Sequence, residues 1–321
     1  MNKTTALLLK STRRVYAKLR KTASRKPDLT FDVQGQQASD LIKGMLDGRD
    51  PCMISRLGLL ELETTLNYLD VISRRGLFSK TVKYIRGETG PYWWDDELAF
   101  FMHTIAGFFP ARAEFLSRFA NILLKDIRDI DVLGSWLPDE ARLAEYLPSL
   151  CKVPLHDLEP YYHSNPWSEA LEGKRVLVIH PFEATIKMQY QRRRLLFDDP
   201  RILPQFELMT LKAVQSHAAA KPGFSSWFDA LDSMFEKVAG MDFDVAIIGA
   251  GAYGLPLASF VKAMGKQAVH LGGAVQLLFG IKGRRWDAIP FFNVLYNDSW
   301  TRPLAEEIPD GHEIVEGGCY W

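Results

Sequence analysis

The chain has 321 residues, of which 47% are apolar and 24% charged, and its 39 basic side chains balance its 39 acidic ones. This composition is typical of globular proteins and excludes disordered, collagen-like and coiled-coil chains. No apolar run approaches the roughly 20 residues of a membrane-spanning helix, and residues 6–9 are shorter than a signal-peptide core of about 7–15 residues. The cysteines Cys52, Cys151 and Cys319 lack the spacing of a disulfide framework or a zinc site. We therefore expect a soluble protein that stays in the reducing cytoplasm.

The amino terminus carries a concentration of basic residues. Nine of them precede the first acidic residue, Asp28: Lys3, Lys10, Arg13, Arg14, Lys18, Arg20, Lys21, Arg25 and Lys26. Leu8, Val15, Tyr16 and Leu19 recur among them at roughly helical spacing, which predicts a basic tail or an amphipathic helix over residues 1–28. Residues 1–26 could bind an anionic membrane surface, or could form a solvated tail. Nucleic acid is not an expected partner, because aromatic and basic residues are not interleaved there.

Short apolar runs alternate with amphipathic stretches over the rest of the chain. This pattern predicts a single α/β domain over residues 29–321, built on a mostly parallel sheet with helices on both faces. The predicted helices cover about 59–73, 184–196, 225–239 and 255–265. The predicted strands are Cys52–Arg56, Arg175–Ile179, Glu207–Leu211, Asp244–Ile248 and Gln267–Leu271.

An aromatic-rich region at about 91–150 separates the first strand unit from the second. It is predicted to be helical, as an insertion or a helical subdomain. Prolines at 154, 160 and 166 interrupt the pattern before Arg175, so any internal boundary is expected near 151–172.

A glycine-rich turn, Gly249-Ala-Gly-Ala-Tyr-Gly254, follows one predicted strand and precedes a helix. This context suits a phosphate at a helix N-terminus, where N–H groups and the helix dipole favour negative charge. The same glycines could serve close helix–strand packing alone. A dinucleotide site is disfavoured, because the motif begins late in the chain and the next strand ends in His270 rather than in an acidic residue.

Polar residues follow several of the predicted strands. Ligands of open α/β sheets bind at the carboxyl ends of strands, so we expect these residues to share one cleft. Each also has a structural interpretation: Glu61 and Glu183 begin helices, where acids stabilise the dipole, and His180 could belong to a turn. Asp131 lies among apolar neighbours, which is compatible with either a functional or a structural role. The strand-end residues are Arg56, Gly58, His180, Glu183, Lys212, Gln215, Gly249 to Gly254, His270, Gly272 and Gly273.

Residues 247–286, IIGAGAYGLPLASFVKAMGKQAVHLGGAVQLLFGIKGRRW, resemble the C-terminal signature of GT-D-type glycosyltransferases, bacterial enzymes of surface polysaccharide and glycoprotein assembly. The segment Ile54 to Glu61, ISRLGLLE, is similar to that family's Arg-x-Gly followed by Asp-x-Glu, and the closing Glu316 to Trp321 resembles the end of polysaccharide-cluster members. The resemblance implies a Rossmann-like fold and transfer of a sugar from a nucleotide diphosphate, here a UDP-linked donor. It also implies a glycan or lipid-linked acceptor at the inner face of the bacterial membrane.

The chain departs from the family at one motif position. The family's Asp and Glu bind the donor nucleotide and a divalent Mn or Mg ion, but Leu59 stands here at the Asp position and leaves Glu61 as the candidate metal ligand. Metal dependence therefore stays open. We predict Glu61, His180 and Asp131 as catalytic residues. The predicted donor-binding residues are Arg56, Gly58, Glu183, Lys212, Gln215, Gly249, Gly251, Tyr253, Gly254, His270, Gly272, Gly273 and Gln276.

Two other functions stay open on the same residues. Because Leu59 replaces the motif aspartate, the chain could be a non-catalytic nucleotide-sugar-binding partner in the same pathway. The glycine turn by itself would also allow a nucleotide-dependent oxidoreductase.

Overall fold

The computed structural model describes residues 2–20, 28–147, 150–216 and 223–321. Its centre is a seven-stranded, all-parallel sheet with the order β3-β2-β1-β7-β6-β4-β5. The strands are β1 (Cys52–Ser55), β2 (Val132–Ser135), β3 (Cys151–Pro154), β4 (Arg175–His180), β5 (Glu207–Lys212), β6 (Val245–Ile248) and β7 (Gln267–His270). This architecture confirms the predicted α/β Rossmann-like fold.

Twelve α-helices occur in the described part of the chain, together with several short 3₁₀ turns. They are α1 (Lys3–Arg20), α2 (Gln36–Asp47), α3 (Leu59–Ile72), α4 (Leu77–Arg86), α5 (Asp96–Thr104), α6 (Ala113–Asp126), α7 (Glu183–Gln191), α8 (Trp227–Ala239), α9 (Gly254–Ala263), α10 (Ala274–Leu278), α11 (Arg284–Asp287) and α12 (Pro290–Leu295). Among the described residues, none of these helices is long and apolar enough to cross a membrane.

Both faces of the sheet are buried, because successive side chains of each strand enter opposite cores. In β6, for example, Val245 and Ile247 pack in one core, whereas Ala246 and Ile248 pack in the other. β1, β2, β6 and β7 are buried at every position, whereas β5, at the sheet edge, is only partly buried. Continuous apolar runs were therefore a valid signal for the central strands.

The five predicted strands are confirmed to within one residue at each end. Two strands were missed: β2 lies inside the region predicted to be helical, and β3 lies in the proline-interrupted stretch at 151–172. The prediction of a helical region over 91–150 needs a correction for that reason. Helices α5 and α6 do lie there, but β2 pairs with β1 in the main sheet, and β3 pairs with β2.

The register of the central strands determines where their ends lie. Ile54 of β1 is level with Val269 of β7, which is level with Ile247 of β6, which is level with Val178 of β4. Because these strands are parallel and in step, the segments that follow them emerge side by side at one edge of the sheet.

The predicted amino-terminal helix is present as α1, which packs against α4. Lys10 Nζ donates to Asp95 Oδ1 at 2.9 Å, and Arg13 Nη1 donates to the Thr89 carbonyl at 3.0 Å. The Arg13 guanidinium also lies 4.8 Å from the centre of the Tyr84 ring. Residues 21–27, the rest of the basic segment, lie outside the described residues.

Candidate functional site

A cavity of about 470 Å³ lies at the carboxyl ends of β1, β4, β6 and β7. This volume is within the range of about 300–1,000 Å³ that small-molecule sites occupy. The cavity brings together most of the residues predicted from the sequence: Arg56, Gly58, Glu61, His180, Gln215, Gly249, Gly251, Tyr253, His270, Gly272, Gly273 and Gln276. In particular, Glu61 and Tyr253, which are 192 positions apart in the printed sequence, line the same space.

Four predicted residues lie outside the cavity lining. Asp131 precedes β2 and therefore lies at the amino edge of the sheet, where it accepts hydrogen bonds from the Met53 N–H at 2.8 Å and from Lys262 Nζ at 2.7 Å. The structure therefore does not bring Asp131 together with the residues of the cavity. Glu183 accepts from Lys187 at 2.7 Å and from Thr210 at 2.6 Å, so its contacts are those of a helix-start residue. Lys212 is exposed at the end of the edge strand β5.

Gly254 is the fourth predicted residue outside the lining, and it packs against His270, which lines the cavity. A Cβ at this position would lie 2.2 Å from His270 Nε2, so the glycine allows the histidine ring to pack against the first turn of α9. The third glycine of the turn thus has the packing role that the sequence left as an alternative.

Arg56 provides a positive charge just after β1. Its guanidinium lies 5.0 Å from the centre of the Trp136 ring, and its Nη2 donates to the Leu57 carbonyl at 3.0 Å. Trp136 Nε1 donates to the same carbonyl at 2.9 Å, which holds the indole in place. Burial lowers the pKa of Arg56, and the Glu61 carboxylate opposes that effect. The Arg56 Nε is buried and has no hydrogen-bond partner among the described residues.

Glu61 lies in the first turn of α3 with its carboxylate folded over Gly58. A Cβ at Gly58 would lie 1.8 Å from Glu61 Oε2, so only glycine leaves room for this arrangement. Burial raises the pKa of Glu61, while the charge of Arg56 lowers it. A carboxyl group with a raised pKa is the better proton acceptor near neutral pH.

Two buried histidines form part of the cavity wall. His180 Nδ1 accepts a hydrogen bond from the Phe182 N–H at 3.0 Å, so the neutral ring carries its proton on Nε2. His270 Nδ1 lies 3.0 Å from Ser55 Oγ. Burial lowers the pKa of both rings to about 3, and the charge of Arg56 adds to the effect at His270. His180 is thus a neutral hydrogen-bond donor at physiological pH rather than an acid–base catalyst.

The glycine turn forms the floor of the cavity between β6 and α9. A Cβ at Gly249 would lie 2.5 Å from the Gly272 carbonyl oxygen and 2.7 Å from His180 Cδ2, so this position has no room for a side chain. The Tyr253 ring stacks on Trp227 at 4.9 Å, and its hydroxyl is 2.9 Å from Ser216 Oγ. These contacts of Tyr253 fix the position of the turn.

The carboxyl terminus closes the cavity with residues to which the sequence assigned no role. Arg285 pairs with Glu316 and donates from Nη1 to the Tyr320 hydroxyl at 3.2 Å. Tyr320 packs over Gly273, where a Cβ would lie 2.6 Å from its ring. In the sequence, these residues are marked only by the resemblance of GRRW and EGGCYW to segments of a known family. That resemblance indicates a functional role for the two segments but does not place them in the fold.

Some polar atoms in the wall are buried without a hydrogen-bond partner among the described residues. They include Arg56 Nε, Gln215 Nε2 and Gln276 Oε1. An unsatisfied buried polar group costs about 1–3 kcal/mol. A bound molecule with both acceptor and donor groups would remove this cost.

The donor set does not fit a resident divalent cation. Among the residues that the structure describes, no group of three or more His, Cys, Asp or Glu side chains could hold a metal ion. Leu59, which stands where the resembled motif has its Asp, lines the cavity, and the charge that acts on the Glu61 carboxylate is that of Arg56. Mg²⁺ and Mn²⁺ prefer several oxygen ligands.

Comparisons with protein-family models, with curated proteins and with solved structures found no match to this chain. The function of the chain is therefore inferred from the site itself and from the motif resemblance.

Proposed function

We propose that this chain is a glycosyltransferase that binds a nucleotide-diphosphate sugar, in the first instance a UDP-linked one, and transfers the sugar to an acceptor of a bacterial surface glycan. The observation that carries the proposal is the convergence of Arg56, Glu61 and the Gly249 turn on one cavity at the carboxyl edge of the sheet. These residues belong to the two segments that resemble GT-D-type enzymes. The proposal includes a site of action at the inner face of the membrane, where lipid-linked acceptors are found.

The donor diphosphate would lie against the glycine turn and Arg56. Gly251, where an added Cβ would meet nothing nearer than the Ala106 carbonyl oxygen at 4.0 Å, lets the backbone approach a ligand closely, and the start of α9 favours negative charge. The guanidinium of Arg56 is a planar donor suited to phosphate oxygens, and its Nε has no protein partner among the described residues. Stabilising the charge that develops on the diphosphate leaving group is the main catalytic requirement.

The acceptor hydroxyl would be bound by Glu61. As the acceptor oxygen forms its bond to the anomeric carbon, the bond from that carbon to the diphosphate breaks, and the hydroxyl proton passes to the Glu61 carboxylate. The raised pKa of Glu61 suits this role. His180, neutral and with its proton on Nε2, would contribute a hydrogen bond to a sugar or phosphate oxygen.

The test combines donor binding with turnover. A thermal-shift panel of nucleotide sugars should show stabilisation by at least one donor, since a ligand stabilises by RT ln(1 + [L]/Kd). Glu61→Gln should keep the fold and lower turnover roughly 10²–10³-fold, as expected when a group acting in the transition state is lost. The matched control is Glu114→Gln: this exposed acid also lies in the first turn of a 14-residue helix, but away from the cavity.

The alternatives predict different results. Donor binding without hydrolysis or transfer would favour the non-catalytic partner, for which the departure at Leu59 is the motivating observation. Stabilisation by NAD(P)H but by no nucleotide sugar would favour the oxidoreductase and refute the proposal. Turnover at the wild-type rate in Glu61→Gln would remove Glu61 from the mechanism.

A further inference from the structure

The surface shared by α1 and α4 is strongly basic. Residues 3–20 contain six basic and no acidic residues, and residues 71–87 contain five basic and no acidic residues. The two helices pack against each other, so these charges lie on one part of the molecule. Lys3 and Lys10 pair with acids at the start of α5, and Arg13 is held against α4. The remaining bases still give this region a high positive charge.

The docked position of α1 determines which of its faces points outward. Lys10 and Arg13 anchor one face, so the opposite face carries Leu8, Val15 and Leu19. These side chains are 66%, 56% and 78% exposed, and their spacing of seven and four residues places them along one line of the helix. Lys18, three residues after Val15, borders this line on one side, and Arg14 lies farther round the helix on that same side. An exposed apolar stripe with bases along one side is compatible with a helix that lies in a membrane interface.

The start of α4 extends the apolar surface. Leu77 is 71% exposed and Phe78 is 84% exposed, and both follow the exposed pair Arg74 and Arg75. Leu77 lines a surface pocket together with Thr5 and Leu9 of α1, so this tip adjoins the amino-terminal half of that helix. Two successive large apolar side chains left in water beside two arginines are compatible with insertion of the tip among lipid headgroups.

We propose that Leu8, Val15, Leu19, Arg74, Arg75, Leu77 and Phe78, here called the docking surface, bind an anionic lipid bilayer. Charge complementarity identifies the occupant, because each basic residue near an anionic bilayer contributes about 1 kcal/mol of binding. A second copy of the chain on the same surface would bring the two basic regions together, and like charges across an interface repel.

Helix α5 connects the inner face of α1, opposite its exposed apolar stripe, to the cavity. Its N-cap residue, Asp95, accepts the hydrogen bond from Lys10 of α1, while Phe101 near its carboxyl end lines the cavity. The helix has nine residues, so at 1.5 Å per residue its two ends are about 14 Å apart. A bilayer bound on the outer face of α1 would therefore be separated from the cavity by the width of α1, about 10 Å, and the length of α5. Delivery of a lipid-linked acceptor rests on the proposed function, whereas bilayer binding itself does not.

The test is cosedimentation of the full-length protein with phosphatidylglycerol-containing vesicles and with pure phosphatidylcholine vesicles. The protein should bind the anionic vesicles, and binding should fall with added salt. Arg74→Gln/Arg75→Gln should weaken partitioning about 30-fold, at about 1 kcal/mol for each charge removed. The matched control, Arg192→Gln/Arg194→Gln, removes two exposed arginines outside the docking surface and should bind like the wild type.

A second variant tests the apolar component. Phe78→Ser should weaken binding about tenfold or more, because burying a phenylalanine contributes roughly 1.5–3 kcal/mol. The matched control is Val294→Ser, at a position 88% exposed in α12. If the Arg74/Arg75 variant and its control lost the same amount of vesicle binding, the binding would depend on the overall charge of the protein and not on this surface. That result would overturn the proposal.

A further outcome would also overturn it. If anionic vesicles do not bind the protein, and Phe78→Ser instead dissociates an oligomer seen by size-exclusion chromatography with light scattering, the surface is a self-association interface. Because this assay needs no donor and no turnover, its failure is distinct from failure of the proposed glycosyltransferase activity.

Discussion

Substitution of Gly58 by alanine moves the Glu61 carboxylate without removing it. The alanine Cβ would lie 1.8 Å from Glu61 Oε2, and Cβ contacts under 3.0 Å essentially do not occur. The carboxylate must therefore move by about 1.2 Å, the difference between these two distances. It can do so because it is the end of a flexible side chain. The backbone of Gly58, with φ −77° and ψ 149°, accepts alanine without strain.

The expected effects on activity and stability differ in direction. A misplacement of about 1 Å in a catalytic site can lower the rate about 10²-fold, so Gly58→Ala should reduce kcat/KM for sugar transfer by about that factor. Gly→Ala at a compatible position stabilises the fold by about 0.4–1 kcal/mol through the unfolded state. The Tm should thus stay unchanged or rise slightly. Both quantities are measured on one preparation, by donor turnover and by thermal unfolding.

The control for this experiment is Gly44→Ala. Gly44 lies inside α2, where an added Cβ meets nothing within 4 Å, so it tests the backbone effect alone. Its activity should equal that of the wild type. Wild-type turnover in Gly58→Ala would refute the reasoning that the position of the Glu61 carboxylate matters, and a large fall in Tm would show that Gly58 serves the fold instead.

The remaining predictions concern charge and pH. Arg285→Gln should weaken donor binding, whereas Glu316→Gln should strengthen it, because Glu316 competes with a diphosphate for Arg285; equal effects of the two variants in isothermal titration calorimetry would contradict this. Chelation with EDTA should leave donor affinity within about twofold, since the site offers Glu61 without a second motif carboxylate, and a larger loss would show that a metal is required. Burial raises the pKa of Asp126 to about 7 in the folded chain, against about 3.9 when unfolded. The folded state therefore binds more protons between these values, and the free energy of unfolding should fall as pH rises from 4 to 7. Asp126 contributes on the order of 3 kcal/mol to that fall, so Asp126→Asn should remove this contribution. The free energy of unfolding is measured by urea titration at each pH, and a pH profile unchanged by the substitution would contradict the raised pKa of Asp126.

Five of the seven strands described in the sheet, and most of the cavity residues, could be predicted from local pattern. Val245–Ile248 and Gln267–His270 are short apolar runs next to glycines and polar residues, and such runs form buried strands whatever lies elsewhere in the chain. Because the carboxyl ends of parallel strands share one edge of the sheet, the sequence predicts that His180 and Gly249 lie in a common cleft. Gly249 is identified by the glycine-rich turn that follows its strand.

Asp131 shows where local pattern was insufficient. Its polar character among apolar neighbours indicated a special role, but whether it lies before or after a strand depends on β2, a four-residue strand inside a helical region. Only the sheet pairing placed it at the amino edge beside Lys262.

The carboxyl-terminal wall depended on tertiary structure in the same way. Arg285 and Tyr320 come after the last strand, in segments whose sequence has no helical or strand periodicity. The sequence therefore does not predict which part of the molecule their side chains contact. They reach the cavity because Gly273 leaves room for the Tyr320 ring and the ion pair with Glu316 holds Arg285 beside it. The sequence by itself thus determined the five predicted strands and the glycine turn, since these depend on neighbouring residues. The tertiary structure decided which distant side chains meet at the cavity, because that depends on packing between elements far apart in the chain.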